Sequence, residues 1–347
     1  MRLLLVSILV LGGCTGTVSG VGPGTDGGAT GDSDVRPPPP PPPPPGDALY
    51  DVGALPAGME VQWPALPETG REVVVRTAAE FTAAASEAGT RLRVEGSFGE
   101  RVYVRASNID IEVAEGMRLG SLMIERGHGQ VRIRGGQWTE IELQVPASFH
   151  PVEEWRPEWL VHDVVIDGVS IDAPDSALLI RGRRVAILNS YAHAVRYSMW
   201  CGETDDFQSE DIVVANVVFE SDGPESTLRL VQVLRSITVD STLRNGNKHN
   251  YRVHGRSDLN FAARNTLVTT GVMLGTLPGD ALNRVWFNDN VLHHTSPSLL
   301  VPDPAIASFE SLNNVIYSDV VGCWLCGTPP SGWRAENNEI RPYQPPP

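Results

Sequence analysis

Val185-Ala186-Ile187-Leu188-Asn189 is followed by Ile212-Val213-Val214-Ala215-Asn216, and the same unit returns along the rest of the chain. Upstream, Val131-Arg132-Ile133 leads to Gly135-Gly136, and Val164-Val165-Ile166 leads to Asp167-Gly168. Downstream, Ile237-Thr238-Val239 leads to Ser241 and Leu259-Asn260-Phe261 to Asn265. Val285-Trp286-Phe287 then leads to Asn290, Phe309-Glu310-Ser311 to Asn314, and Trp333-Arg334 to Asn338. The marked positions 189, 216, 241, 265, 290, 314 and 338 are spaced by 27, 25, 24, 25, 24 and 24 residues. Alternation within each unit predicts strands with one buried face. A step near 24 residues is too short for a strand, a full helix and a parallel strand, but it holds three short strands and their turns. The solution is one coil per repeat, each stacked on the last in parallel. Asn recurring at one bend predicts a ladder whose amides bond the next coil and satisfy buried backbone. A leucine-rich repeat has a similar period, but β-branched residues stand where its leucines would.

The entry to this domain has its own signature. Glu72–Arg76 reads as a strand. Thr77 with Glu80 three residues on is a capping box opening an Ala-rich helix over Ala78–Ala88, with Gly89 as its stop. Leu92-Arg93-Val94 resumes strand. A helix here would cap the first coil, whose edge would otherwise invite pairing with another chain. Over about residues 70–340 the arrangement resembles the pectate lyase-like superfamily of right-handed parallel β-helices. The resemblance implies an all-β, right-handed parallel β-helix with coils of about 24 residues and a short N-terminal capping helix.

That superfamily includes lyases and hydrolases of acidic polysaccharides, and fragments of their motifs occur here. Gly127-His128-Gly129 is similar to the polygalacturonase Gly-His-Gly, but the carboxylates that family places upstream are missing, and Asp205-Asp206 lies downstream. Without paired carboxylates there is no acid and no base for glycoside hydrolysis, and the segment reads as a turn. Val285-Trp286-Phe287-Asn288-Asp289 is similar to the Val-Trp-Ile-Asp-His segment of pectate lyases, with Asn288 and Asp289 replacing its Asp-His pair. No carboxylate group for calcium accompanies it, so no cofactor is expected. His293 and His294 are adjacent on a strand and point to opposite faces, which argues against a shared metal.

The most distinctive stretch is Lys248-His249-Asn250-Tyr251-Arg252-Val253-His254-Gly255-Arg256, five cationic or potentially cationic residues in an acidic chain. Arg252 and His254 should share a strand face. A loose alignment of coils stacks Arg196, Arg229 and Arg252, about 4.8 Å apart, and with His254 and Arg256 these form the expected ligand face. Such a row suits the carboxylates or sulfates of a glycan through forked hydrogen bonds. Neutralisation of the same row by Glu203, Asp205, Asp206 and Asp222 is the structural alternative. Alginate lyase-type β-helices use a basic Lys and Arg pair. That resemblance implies Lys248 or His249 as base and Arg252 as charge stabiliser, if the protein is an enzyme at all.

Met1–Cys14 carries one charge, a short apolar run and Leu11-Gly12-Gly13-Cys14. This is a signal peptide over residues 1–13, too short for a membrane span. Its end resembles a bacterial lipobox, which implies lipidation of Cys14 and a membrane anchor. Thr15 after the cysteine implies outer-membrane sorting, with periplasmic or surface exposure. Residues 14–48 form a tether poor in core-forming residues. Its Pro37–Pro45 run makes a polyproline II rod of roughly 28 Å. Residues 49–347 are the β-helix domain. The formal charge of −15 argues against nucleic acid. Besides Cys14 there are Cys201, Cys323 and Cys326. In an oxidising compartment Cys323-Trp324-Leu325-Cys326 is expected as a local disulfide or two partly buried thiols. The expected function is a tethered surface protein that contacts acidic polysaccharide without catalysis. The alternatives are a polysaccharide lyase and a passive structural or adhesive protein.

Overall fold

The computed structural model describes residues 49–346 apart from 144–156, 203–208, 246–247, 270, 276–281, 296–300, 303–305, 323 and 326–329. The leader, the tether, Cys14, Cys323, Cys326, Glu203, Asp205 and Asp206 therefore lie outside the described residues.

The period of the sequence becomes a right-handed parallel β-helix. Among the described residues, 12 strands from Arg71–Val75 to Trp333–Glu336 form one face, in strict chain order. A second face runs from Ser170–Ala173 through Tyr191–Ala194, Val218–Ser221 and Thr242–Asn245 to Glu339–Arg341. A third carries Ser176–Ile180, Tyr197–Gly202, Ser226–Val231, His249–His254 and Gly271–Leu274. In the first coils these two faces are spanned by one unbroken strand, as in Arg118–Ile124 and Gln137–Leu143. Inward residues such as Ile187, Val214, Phe219, Leu230 and Phe287 fill a single core.

The capping box forms: the Glu80 N–H donates to Thr77 Oγ1, and the Thr77 N–H to the Glu80 carboxylate. The helix ends at Ala84, short of the expected Ala88. Its last turn tightens, with Ser86 N–H on Ala83 O and Glu87 N–H on Ala84 O, which closes the cylinder early. Phe81 seals the first coil, edge-on to Phe98 and Trp138 at 6.0 and 6.4 Å.

The Asn ladder is two adjacent columns rather than one. Asn189, Asn216, Asp240, Arg264, Asp289, Asn313 and Asn337 all have left-handed backbone, with φ between 51° and 58°. That conformation turns the corner between the first and second faces, and Asn and Asp tolerate it best. The next residues, Ser241, Asn265, Asn290, Asn314 and Asn338, point inward and make the buried ladder. The Asn265 N–H donates to Asn290 Oδ1 at 3.0 Å and the Asn290 N–H to Asn314 Oδ1 at 2.9 Å. Asn265 Nδ2 donates to Thr238 O at 2.8 Å, and Asn290 Nδ2 to Ala262 O at 3.1 Å. The sequence series 189, 216, 241 thus crossed from the outer column to the inner one.

Residues 49–69 lie across the outside of the first face instead of coiling. The Ala65 N–H donates to Asp163, the Gln62 N–H to Asp211, and Arg264 to Val52 O at 3.0, 3.3 and 3.1 Å. Tyr50, Val52 and Met59 pack on Val165, Leu188, Val213, Ile237 and Phe261, a second apolar cluster outside the solenoid. This strap explains why central strands such as Val161–Asp167 are buried on both faces.

Two measurements test these contacts. Asn290→Ala should cost about 1–3 kcal/mol for each buried partner left unmet, read as a lower urea midpoint; an unchanged midpoint would mean that the ladder does not hold the corner. Met59→Ala should cost about 2 kcal/mol, and a chain starting at residue 70 should self-associate through the bared cluster. If that chain stays monomeric and equally stable, the strap is not a structural element.

Candidate functional site

Coil register decides which residues meet on the third face. Leu179, Trp200, Arg229, Arg252 and Met273 are paired rung to rung on five successive strands. They point outward because Met199, Leu228, Tyr251 and Val272, one residue earlier, are fully buried in the core. Arg229 and Arg252 are therefore neighbours, as expected. Arg196 is not in the row. Trp200 holds that rung, and Arg196 stands on the exposed bend before it, over the Tyr197 ring at 5.2 Å. The alignment slipped because the bend from the second face to the third has no fixed length. It runs from Ala194 to Tyr197 in one coil and from Ser221 to Ser226 in the next.

Arg229 is the organising cation. Its Nε–H donates to His254 Nε2 at 2.9 Å and an Nη1–H to the Tyr197 hydroxyl at 2.8 Å. The guanidinium also lies over Tyr197 at 5.6 Å and Trp200 at 5.0 Å. Arg181 approaches the same Trp200 ring at 5.4 Å. Arg252 is 6% exposed and His254 2%. Arg256 stands exposed on the turn after His254. Other arginines of the molecule are clamped by carboxylates: Arg184 by Asp163, Arg235 by Asp211, Arg264 by Asp240, Arg284 by Asp258. Among the described residues, Arg229 is bonded only by neutral acceptors.

Lys248 and His249 open the same strand. Lys248 Nζ is 3.0 Å from the Glu225 carboxylate, and its backbone N–H donates to Asn245 Oδ1 at 2.8 Å. An ammonium held this way is a donor rather than a base. Burial raises the Glu225 pKa, but Lys248, the Tyr197 hydroxyl and Arg229 outweigh it and hold the carboxyl below its ordinary range. Burial, with Arg252 and Lys248 close by, pushes His249 down to about 4. Burial, Arg252 and Arg229 push His254 down to about 3. Both imidazoles are neutral at pH 7, and a neutral His254 Nε2 is what the Arg229 donor requires.

The remaining motifs are structural. Trp286 packs against the strap cluster, and Asn290 belongs to the ladder. His293 stacks on Tyr317 at 5.1 Å and bonds Gln344 O, while His294 is wholly buried. Sequence reading missed Tyr197, Trp200, Arg181 and Glu225. Arg181-Gly182-Arg183-Arg184, a basic cluster in an acidic chain, was a signal available for the first group.

No protein-family model matches the chain, and no curated protein matches its sequence. Among solved structures it is similar to an alginate lyase from Paenibacillus sp. str. FPU-7, with a TM-score of 0.53 and 12% identity over 77% of this chain and 99% of that one. A doubly substituted pectate lyase from Xanthomonas campestris aligns at a TM-score of 0.32 and 12% identity, covering 75% of this chain and 82% of that one. The first likeness shows the fold, a parallel β-helix, and nothing finer.

The two depressed histidines make acid destabilising. Each binds its proton more tightly in the unfolded chain, where a histidine titrates near 6.5. Stability is therefore fully present above about pH 6.5 and falls as pH drops towards about 4 and 3, where the folded groups protonate. His254→Gln should flatten that fall in a series of urea midpoints across the window. A variant slope equal to wild type would show that His254 does not titrate as placed here.

Proposed function

We propose that the protein is a membrane-tethered β-helix that holds an acidic polysaccharide against its third face without cleaving it. The observation that carries this is Arg229, a cation fixed by neutral partners and flanked in register by Trp200 and Arg252. Its direct partners are neutral and Glu225 offsets its charge only at a distance, so its remaining N–H groups can take a carboxylate or sulfate. Trp200 and Tyr197 offer the apolar faces on which sugar rings stack. Successive coils repeat at about 4.8 Å, so a chain laid along the axis meets one side chain per coil. Exposed Arg196 and Arg256 extend the basic surface at its rim. Lipidation at Cys14 would supply the membrane partner, and the proline-rich tether would hold the body off an outer membrane.

A second reading keeps one observation in its favour. His249 is neutral between Arg252 and Lys248, the form a base needs. As a lyase base it would take the proton beside a uronate carboxylate, with Arg252 stabilising the enolate. The electron pair would then form a carbon–carbon double bond as the glycosidic oxygen leaves. Lys248, held by Glu225, would serve as a donor in that scheme.

Retention of the full chain on immobilised alginate, pectate and neutral glycans tests the first reading. Arg229→Gln with Arg252→Gln should weaken retention on the acidic chains more than tenfold, since each charged hydrogen bond contributes about 1.5–3 kcal/mol. Ultraviolet absorbance from unsaturated uronate ends should stay flat, with or without calcium. A rise that disappears in His249→Ala would replace binding by β-elimination, and equal retention of the double variant would reject this face.

A further inference from the structure

Apart from the third face, the molecule has a cavity of about 540 Å³ at the corner where first-face strands begin. It is lined by Gly127, Glu158, Leu160, His162, Arg183 and Arg184, drawn from three successive coils. This size is within the ordinary range for sites that hold a small molecule.

Its walls are set before any ligand arrives. Arg184 donates from Nε and Nη2 to the two oxygens of Asp163, both at 2.6 Å. Asp163 is also bonded by His162 Nδ1 at 2.7 Å and by the strap's Ala65 N–H at 3.0 Å. Burial raises the Asp163 pKa, but these bonds outweigh it and hold the carboxyl well below its ordinary range. The carboxylate fixes the Arg184 fork and accepts the His162 Nδ1–H, which leaves Nε2 for another partner. Gly129 makes room for that ring, because a Cβ there would meet His162 at 2.3 Å. Gly182, two coils on from Gly129, makes room for backbone, since a Cβ there would meet Val161 O at 2.4 Å. The Gly-His-Gly segment and Gly182-Arg183-Arg184, which the third face does not use, thus build one place.

The cavity combines two guanidinium groups, an imidazole, one carboxylate and the apolar Leu160. A guanidinium has five donors, so one that holds a protein partner still has N–H groups to offer. Forked donors fit a carboxylate. Mixed donors and acceptors fit hydroxyls, each of which gives and takes a bond. A leucine fits the apolar face of a ring. We propose that this cavity is a second binding site, for a single carboxylate-bearing sugar ring such as the end of an acidic glycan. It deepens the polysaccharide reading and rests on it for the ligand class alone.

Calorimetric titration of the full chain with sodium glucuronate, glucose and inorganic sulfate tests the site. Glucuronate should bind saturably and more tightly than the other two. Arg183→Gln should weaken it about tenfold and Arg183→Lys by less, with melting temperatures unchanged. Arg334→Gln, on the last described coil and away from both sites, should leave it alone. If polyuronate retention fails but glucuronate binding persists and depends on Arg183, the cavity stands and the third-face reading falls. No saturable glucuronate binding would overturn the proposal. So would equal affinity for sulfate, which marks a bare anion site, or unchanged glucuronate affinity in Arg183→Gln.

Discussion

Backbone pairing between coils fixes the rest of this molecule. Each coil bonds to the one before and the one after through all three faces, so a residue's height and direction follow from its rung. That constraint is strictest at the corner between the first and second faces. There the chain turns through a left-handed residue and immediately buries the next one. Buried backbone must find partners, and the inner Asn column supplies them by bonding coil to coil. The core and the surface rows both inherit their alignment from that corner.

A solenoid leaves its outer faces to solvent unless something covers them. Here the first coils of the first face carry charge on the outside, with Arg132 and Arg134 on Asp110. The middle coils carry Val165, Leu188, Val213, Ile237 and Phe261 instead. An apolar strip of that kind on a parallel sheet needs a covering layer, and the strap is that layer. The last described coil carries Arg334, Glu336, Glu339 and Arg341 in ion pairs. Charge on an open edge discourages strand addition.

The parts of this fold that were legible in the sequence are those set by local chemistry. The strand units, the capping box and the coil period follow from alternation, helix-end hydrogen bonding and turn geometry. Asn and Gly could be read at corners because few residues accept left-handed backbone. The strap was not legible. Tyr50, Val52 and Met59 have no period of their own, and their partners lie far along the chain in the coils, as Tyr50 with Asp240, 190 positions on, shows. The site was half legible. Arg229 and Arg252 aligned because their coils differ little in length, whereas the shorter bend after Ala194 moved Arg196 off the row and brought Trp200 onto it.

The two classes of arginine in this protein are of unequal value to folding. A guanidinium clamped by a buried carboxylate, as in Arg184 on Asp163, closes its electrostatics within the protein and pins two coils. Arg229 does not. Its acceptors, His254 and Tyr197, are neutral, Glu225 meets its charge only at a distance, and the nearby Arg252 raises the cost of holding it there. A half-buried charge without a direct counter-ion is an expense to stability, and apolar residues of similar volume often serve a fold as well or better. The depressed pKa of His254 records that same cost, since a proton added there would meet two guanidinium groups in a dry setting. A fold with a long Asn ladder and a full core has no need of such a cluster. On the binding reading proposed above, an anion held between Trp200 and Arg252 would lower that cost.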